Sequence, residues 1–136
     1  MEAVLCFVCD SQITRNGSRN WKVPDAKPRF VFAYETKNRH APFTEWLDDF
    51  GDESPIAAAI VARVERVENG NFGDCYPVGH GVSELRIDDG KGYRVYFGQV
   101  GDIVVLLNGG HKDTQTTDIK KAHVLWEEFK SRDEHE

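Results

Sequence analysis

The sequence has no long apolar run. Its longest uninterrupted apolar stretches are six or seven residues, far short of the ~20 that a bilayer-spanning helix needs. It holds three cysteines, Cys6, Cys9 and Cys75, an odd number and too few for a disulfide scaffold. Met1 is the sole methionine, and 12 Gly with 5 Pro fall well below a low-complexity or collagen-like composition. An excess of basic charge is also missing. Lys and Arg total 17 against 23 Asp and Glu, a formal charge of −6, and such a surface repels phosphate. That excludes a general DNA or RNA coat and confines any nucleic-acid role to a local basic site. The opening residues carry Glu2 and no basic n-region, a poor secretory signal. The expectation is a cytoplasmic protein with no membrane partner.

What is present fits one compact domain: 136 residues, 40% hydrophobic and 29% charged. Residues 1–28 stand apart, with one short apolar patch followed by turn-forming Asn, Gly, Ser and Pro. They read as a weakly structured extension or a mis-assigned start, and 29–136 as the domain. Residues 29–36, RFVFAYET, have strand composition. Residues 41–50 place Phe43, Trp46, Leu47 and Phe50 at helical spacing, with Pro42 suited to a first turn. Ser54-Pro55 starts a second helix with Ile56, Ile60, Val64 and Val67 along one face, and Asn69-Gly70 stops it. The two predict an αα-hairpin. Residues 82–107 read as a β-meander, with strands Val82–Asp88, Gly92–Gln99 and Asp102–Leu107, the last buried on both faces. A final helix from about Thr114 to Arg132, capped by Asp113 or Thr114, carries Ile119, Ala122, Trp126 and Phe129 on one face. The fold class is α+β: a small antiparallel sheet packed against a helical hairpin and a C-terminal helix.

The first meander hairpin is the most informative stretch. A three-residue loop at Asp89-Gly90-Lys91 pairs Arg86 with Arg94, and puts Leu85 opposite Val95 and Ile87 opposite Tyr93 on an apolar face. A slip by one residue would mix the faces. The other face, expected to be exposed, carries Glu84, Arg86, Arg94 and Tyr96. Two guanidiniums directly across a ladder repel. The pair makes sense with an anion between them, since arginine forks match phosphate, or with Glu84 and Asp88 neutralising both. Between Glu45 and Glu53 there are five acids and no base, whereas Val82 to Lys112 holds four of each sign. The meander can therefore present a local positive patch. Asn108-Gly109-Gly110-His111-Lys112-Asp113 reads as a Gly-Gly turn feeding a helix N-terminus, suited to an anion or serving as a plain connection. His111 adds a group that titrates near neutrality.

Cys6-Phe-Val-Cys9 is a CxxC, but zinc would need two more ligands, from Cys75 with His80 or His40, brought in only by folding the extension back. A thioredoxin-like strand-to-helix context is absent. No metal or cofactor is expected. His80 falls in a turn, and His123 on the final helix reads as a surface or core-edge residue.

Taken in order, Glu68-Asn-Gly-Asn-Phe-Gly-Asp, Val82-Ser-Glu-Leu-Arg-Ile, Gly92-Tyr-Arg-Val-Tyr-Phe-Gly and Val105-Leu-Leu-Asn-Gly-Gly-His-Lys-Asp-Thr-Gln resemble the RelE/ParE toxin superfamily. More narrowly they are similar to its HigB-related branch, the addiction module killer proteins, over about Arg29 to Lys130. The resemblance implies a RelE-like fold and the toxin of a type II toxin–antitoxin module, held by a cognate antitoxin usually encoded beside it. It also implies an endoribonuclease acting on mRNA, for some members on the ribosome, with DNA contacted only through the antitoxin. The implied chemistry is metal-free attack of a ribose 2′-OH on the adjacent phosphate, which needs proton transfer and cations for the phosphorane. The matching positions are Arg86, Arg94 and Lys112, with His111 or Tyr96 as proton-transfer candidates. ParE-like members instead poison DNA gyrase, so a gyrase inhibitor or a non-catalytic relic that acts by protein binding is the alternative.

Overall fold

The computed structural model describes residues 28–88 and 90–134. The reading of 1–28 as an extension, the Cys6-Phe-Val-Cys9 pair and Asp89 of the hairpin loop lie outside them, Pro28 excepted. The elements are β1 (Phe30–Ala33), α1 (Pro42–Asp48), α2 (Pro55–Glu68), β2 (Cys75–Pro77), β3 (Val82–Ile87), β4 (Tyr93–Val100) and β5 (Ile103–His111). A 3₁₀ turn (Lys112–Thr114) then leads into α3 (Gln115–Glu134). The α+β expectation holds, but the sheet has five strands and is mixed, in the order β1-β5-β4-β3-β2.

Local signals explain most of the elements. Ser54 caps α2 by accepting the Ala57 N–H at 3.1 Å, and Pro55 occupies the first turn, where its missing N–H costs nothing. Gly70, at φ 88°, takes the left-handed conformation that ends the helix. Pro42 opens α1, whose N-cap position holds Ala41 with no side-chain cap, and the Glu45 carboxylate accepts the Ala41 N–H at 3.3 Å. The hairpin register is the one the alternation predicts, with Arg86 opposite Arg94, Leu85 opposite Val95 and Ile87 opposite Tyr93.

Four features differ from the expectation. β1 runs parallel to β5 (Phe30 opposite Ile103) rather than lying outside an antiparallel sheet. β2 is an added edge strand, antiparallel to β3, with Tyr76 opposite Glu84. The helices α1 and α2 make their main contacts with the sheet, not with each other as a self-packed hairpin. Finally, Gly109 and Gly110 form no turn but continue β5. Their missing side chains serve packing: a Cβ on Gly109 would enter the Trp46 ring, and one on Gly110 would overlap the Asp118 carboxylate.

The sheet separates two apolar clusters. On one side Phe43 of α1 with Ile60 and Val67 of α2 pack on Leu85, Ile87, Val95, Phe97, Val104 and Leu106. On the other, Ala122, Leu125 and Trp126 of α3 pack on Val82, Tyr96, Val105 and Leu107. Strand β5 feeds both faces, as its unbroken IVVLL run implies. A register shift opposite Tyr96 and Phe97 leaves Leu107 unpaired in the ladder. This bulge turns Leu107 and Asn108 toward the same face and inverts the alternation beyond it. His111, paired with Tyr93, thereby joins the α1 and α2 face, while Gly110 faces α3 beside Arg94.

Candidate functional site

On the α3 face, ladder partners line up in two rows across the strands. One row is Tyr76, Glu84, Tyr96 and Asn108; the next holds Arg86, Arg94 and Gly110. Asp74 extends the second row, since its carbonyl accepts the Arg86 N–H at 3.1 Å.

The face is not the exposed one the sequence suggested. Glu84 is 1% exposed, Tyr96 0% and Arg94 8%. The start of α3 lies over them: Gln115 Nε2 donates to Glu84 Oε2 at 2.7 Å, and Asn108 Nδ2 donates to the Asp118 carbonyl at 3.2 Å. The cross-strand arginine repulsion is relieved from below. Glu84 Oε2 lies 3.4 Å from Arg94 Nε and Glu84 Oε1 lies 3.8 Å from Arg86 Nε. A buried carboxylate between two guanidiniums fixes both, because leaving either side unpaired would strand a desolvated charge. Arg86 also lies over the Tyr76 ring at 4.1 Å.

Beyond the covered row the surface opens into a groove of about 650 Å³, lined by Arg86, Lys91, Arg94 and Lys112 with Asp74, Asp88 and Asp113, and floored by Gly90 and Gly92. Three of the five residues singled out from the sequence, Arg86, Arg94 and Lys112, meet here. The other two do not join them. Tyr96 lies under the start of α3, its hydroxyl enclosed and without a hydrogen-bond partner among the described residues. Burial, then the negative charges of Glu84 and Asp118, hold that hydroxyl well above the ordinary tyrosine range, so it stays neutral. His111 is turned to the opposite face, its ring 6.4 Å from that of Tyr93. It caps the 3₁₀ turn instead: Nδ1 accepts the Asp113 N–H at 3.3 Å, and Thr114 Oγ1 accepts the His111 N–H at 3.3 Å. His111 thus fixes the turn that carries Lys112.

The sequence reading missed Asp74 and Tyr76 at this site, because a three-residue strand ending in Pro77 carries no alternation to recognise. Their signal lies in the register alone. The neighbouring Asp74 carboxylate, through hydrogen bonding and then its charge, raises the Tyr76 hydroxyl above the usual value. His80 sits exposed in its turn at φ 56°, its ring 4.3 Å from His123, whose Nε2 donates to the Val78 carbonyl at 3.0 Å. Among the described residues no His, Cys, Asp and Glu side chains cluster in a way that could hold a metal ion. No helix among them is long and apolar enough to cross a membrane.

Known proteins bear on this geometry. A Haemophilus influenzae protein, named only as an uncharacterized protein, is 54% identical over 88 residues, which cover 64% of this chain and 88% of that one. No solved structure matches. The model of the phage derived protein Gp49-like (DUF891) family matches residues 45–128, a span that takes in every residue of the groove. The chain belongs to the Gp49-like family.

Proposed function

We propose that this protein is the toxin of a type II toxin–antitoxin module and that its groove holds an mRNA phosphodiester for cleavage. The Gp49-like family is a RelE-like, addiction-module family associated with such toxins, which supports a cognate antitoxin as partner. The HigB-related branch, the RelE-like details of the fold and a cytoplasmic location belong to the same proposal. The observation that carries the nuclease reading is the convergence of Arg86, Arg94 and Lys112 on one groove with Lys91. Attack of a 2′-OH on its neighbouring phosphate, losing its proton as the P–O5′ bond breaks and the 5′ oxygen takes up a proton, builds negative charge on the phosphorane, and forked guanidiniums set in advance stabilise it without reorganising. Lys112 supplies a point charge from a capped turn. With Tyr96 enclosed and His111 facing away, the titratable groups that the groove offers for the 2′ proton are Asp74, Asp88 and Asp113. His111 and Tyr96 act as supports, one holding the Lys112 turn and the other buried in the layer between the sheet and α3.

One observation favours the second reading, a gyrase inhibitor or a relic that works only by binding protein. Glu84 already pairs with both arginines, and three more carboxylates line the groove, so its net charge is near balance. Induced expression separates the two. Lys112→Ala, at an exposed position, is expected to abolish growth arrest while still co-purifying with the product of the adjacent reading frame. Full toxicity in that variant would remove the groove from the mechanism, and DNA breaks over intact mRNA would favour gyrase.

A further inference from the structure

Resting on the nuclease reading, we propose that Tyr76 is a stacking platform for one unpaired nucleobase of a single-stranded RNA, next to the phosphodiester held at Arg86 and Arg94. Tyr76 stands on the edge strand β2, on the face that carries both arginines, and is 43% exposed. The other large exposed apolar side chains lie elsewhere: Phe30 and Phe32 on the opposite edge strand, Val61 on α2 and Val124 on α3. α3 covers Glu84, Tyr96 and Asn108 in the same row and leaves Tyr76 open beyond it.

The ring is also preset. Arg86, which lines the groove, lies against one side of it at 4.1 Å. A tyrosine fixed in this way loses little entropy when a base covers its solvent side, and the cation beneath strengthens the stack. Two strand spacings, about 10 Å, separate β2 from the strand that holds Arg94, a distance that one nucleotide covers from phosphate to base. Bases in a duplex are already stacked and cannot occupy such a platform, so the geometry selects unpaired RNA. It also supplies what a charge-balanced groove lacks: a contact that does not depend on net positive charge.

The test is fluorescence anisotropy with a single-stranded RNA carrying 2′-O-methyl groups, which block cleavage, and with the same RNA bearing one abasic residue moved along its length. Tyr76→Ala is expected to weaken binding roughly tenfold, in the range of one lost base stack, while Tyr76→Phe and Tyr76→Trp stay close to wild type. At one position the abasic residue is expected to weaken the wild-type protein by a similar factor and to leave Tyr76→Ala unchanged, the non-additivity expected of a direct contact. Equal abasic losses in both proteins at every position, or wild-type affinity in Tyr76→Ala, would overturn the base site while leaving the nuclease reading intact. Failure of the wild-type protein to bind the RNA at all would overturn the nuclease reading and the base site with it.

Discussion

At the residue scale, the groove depends on a charge that never reaches solvent. Glu84 sits under the two arginines and is tied to Gln115. Removing it strands Arg94 in a dry environment. Breaking such a pair from one side costs about 3–5 kcal/mol, and the exposure of Arg86 to water brings Glu84→Ala to or below the low end. Urea unfolding is expected to show a loss of about 2–3 kcal/mol; a loss below about 1 kcal/mol would mean that the arginines hold themselves. Tyr96 gives the opposite expectation. Its hydroxyl is enclosed without a partner among the described residues, so Tyr96→Phe leaves stability at pH 7 unchanged or slightly raised. The pH dependence carries a definite sign. The folded state holds the hydroxyl above its unfolded value near 10, so its contribution is full below about pH 10 and is lost as pH rises beyond it. The phenylalanine variant should therefore lose less stability than wild type between neutral pH and alkaline conditions.

At the element scale, two tryptophans replace side chains the strands lack. Trp126 of α3 lies on Gly98 of β4, and Trp46 of α1 on Gly109 of β5. A single methyl at either glycine overlaps ring carbons, so Gly98→Ala or Gly109→Ala is expected to cost about 1–3 kcal/mol by overpacking, measured as a fall in Tm. Ser54→Ala, which only removes the α2 cap, is expected to cost about 1 kcal/mol. These elements also show what the sequence could convey. The Arg86–Arg94 register, the Ser54-Pro55 start and the buried IVVLL strand are local, because alternation and capping are written within a few residues of where they act. The parallel pairing of β1 with β5 joins segments about seventy positions apart, and no periodicity encodes it. The same holds for the burial of Glu84, Arg94 and Tyr96. Their strands look half-polar, and only the return of α3 across the sheet turns that polarity inward. Gly109-Gly110 suggests a turn in the sequence because glycine favours turns. In the fold its value is the space it leaves for Trp46 and Asp118, which only the tertiary structure reveals.

At the scale of the whole molecule, the charge of −6 and the balanced groove limit how the proposed RNA substrate could be held. Four cations meet at the groove, so no more than about four phosphate contacts are available, and log K against log salt for single-stranded RNA should be shallower than about −3. A steeper slope would point to a wider basic surface than the fold presents. Under the proposed function such binding would be selective and short-ranged, with stacking and positioning supplying what charge does not. The proposed role of the groove cations in mRNA cleavage is checked by mapping RNA 5′ ends in cells shortly after induction of the wild-type protein and of Lys112→Ala in parallel. New 5′ ends within coding sequences are expected for the wild type, and their disappearance in the variant at equal protein level. The same new ends in both, or none in the wild type while growth stops, would contradict it.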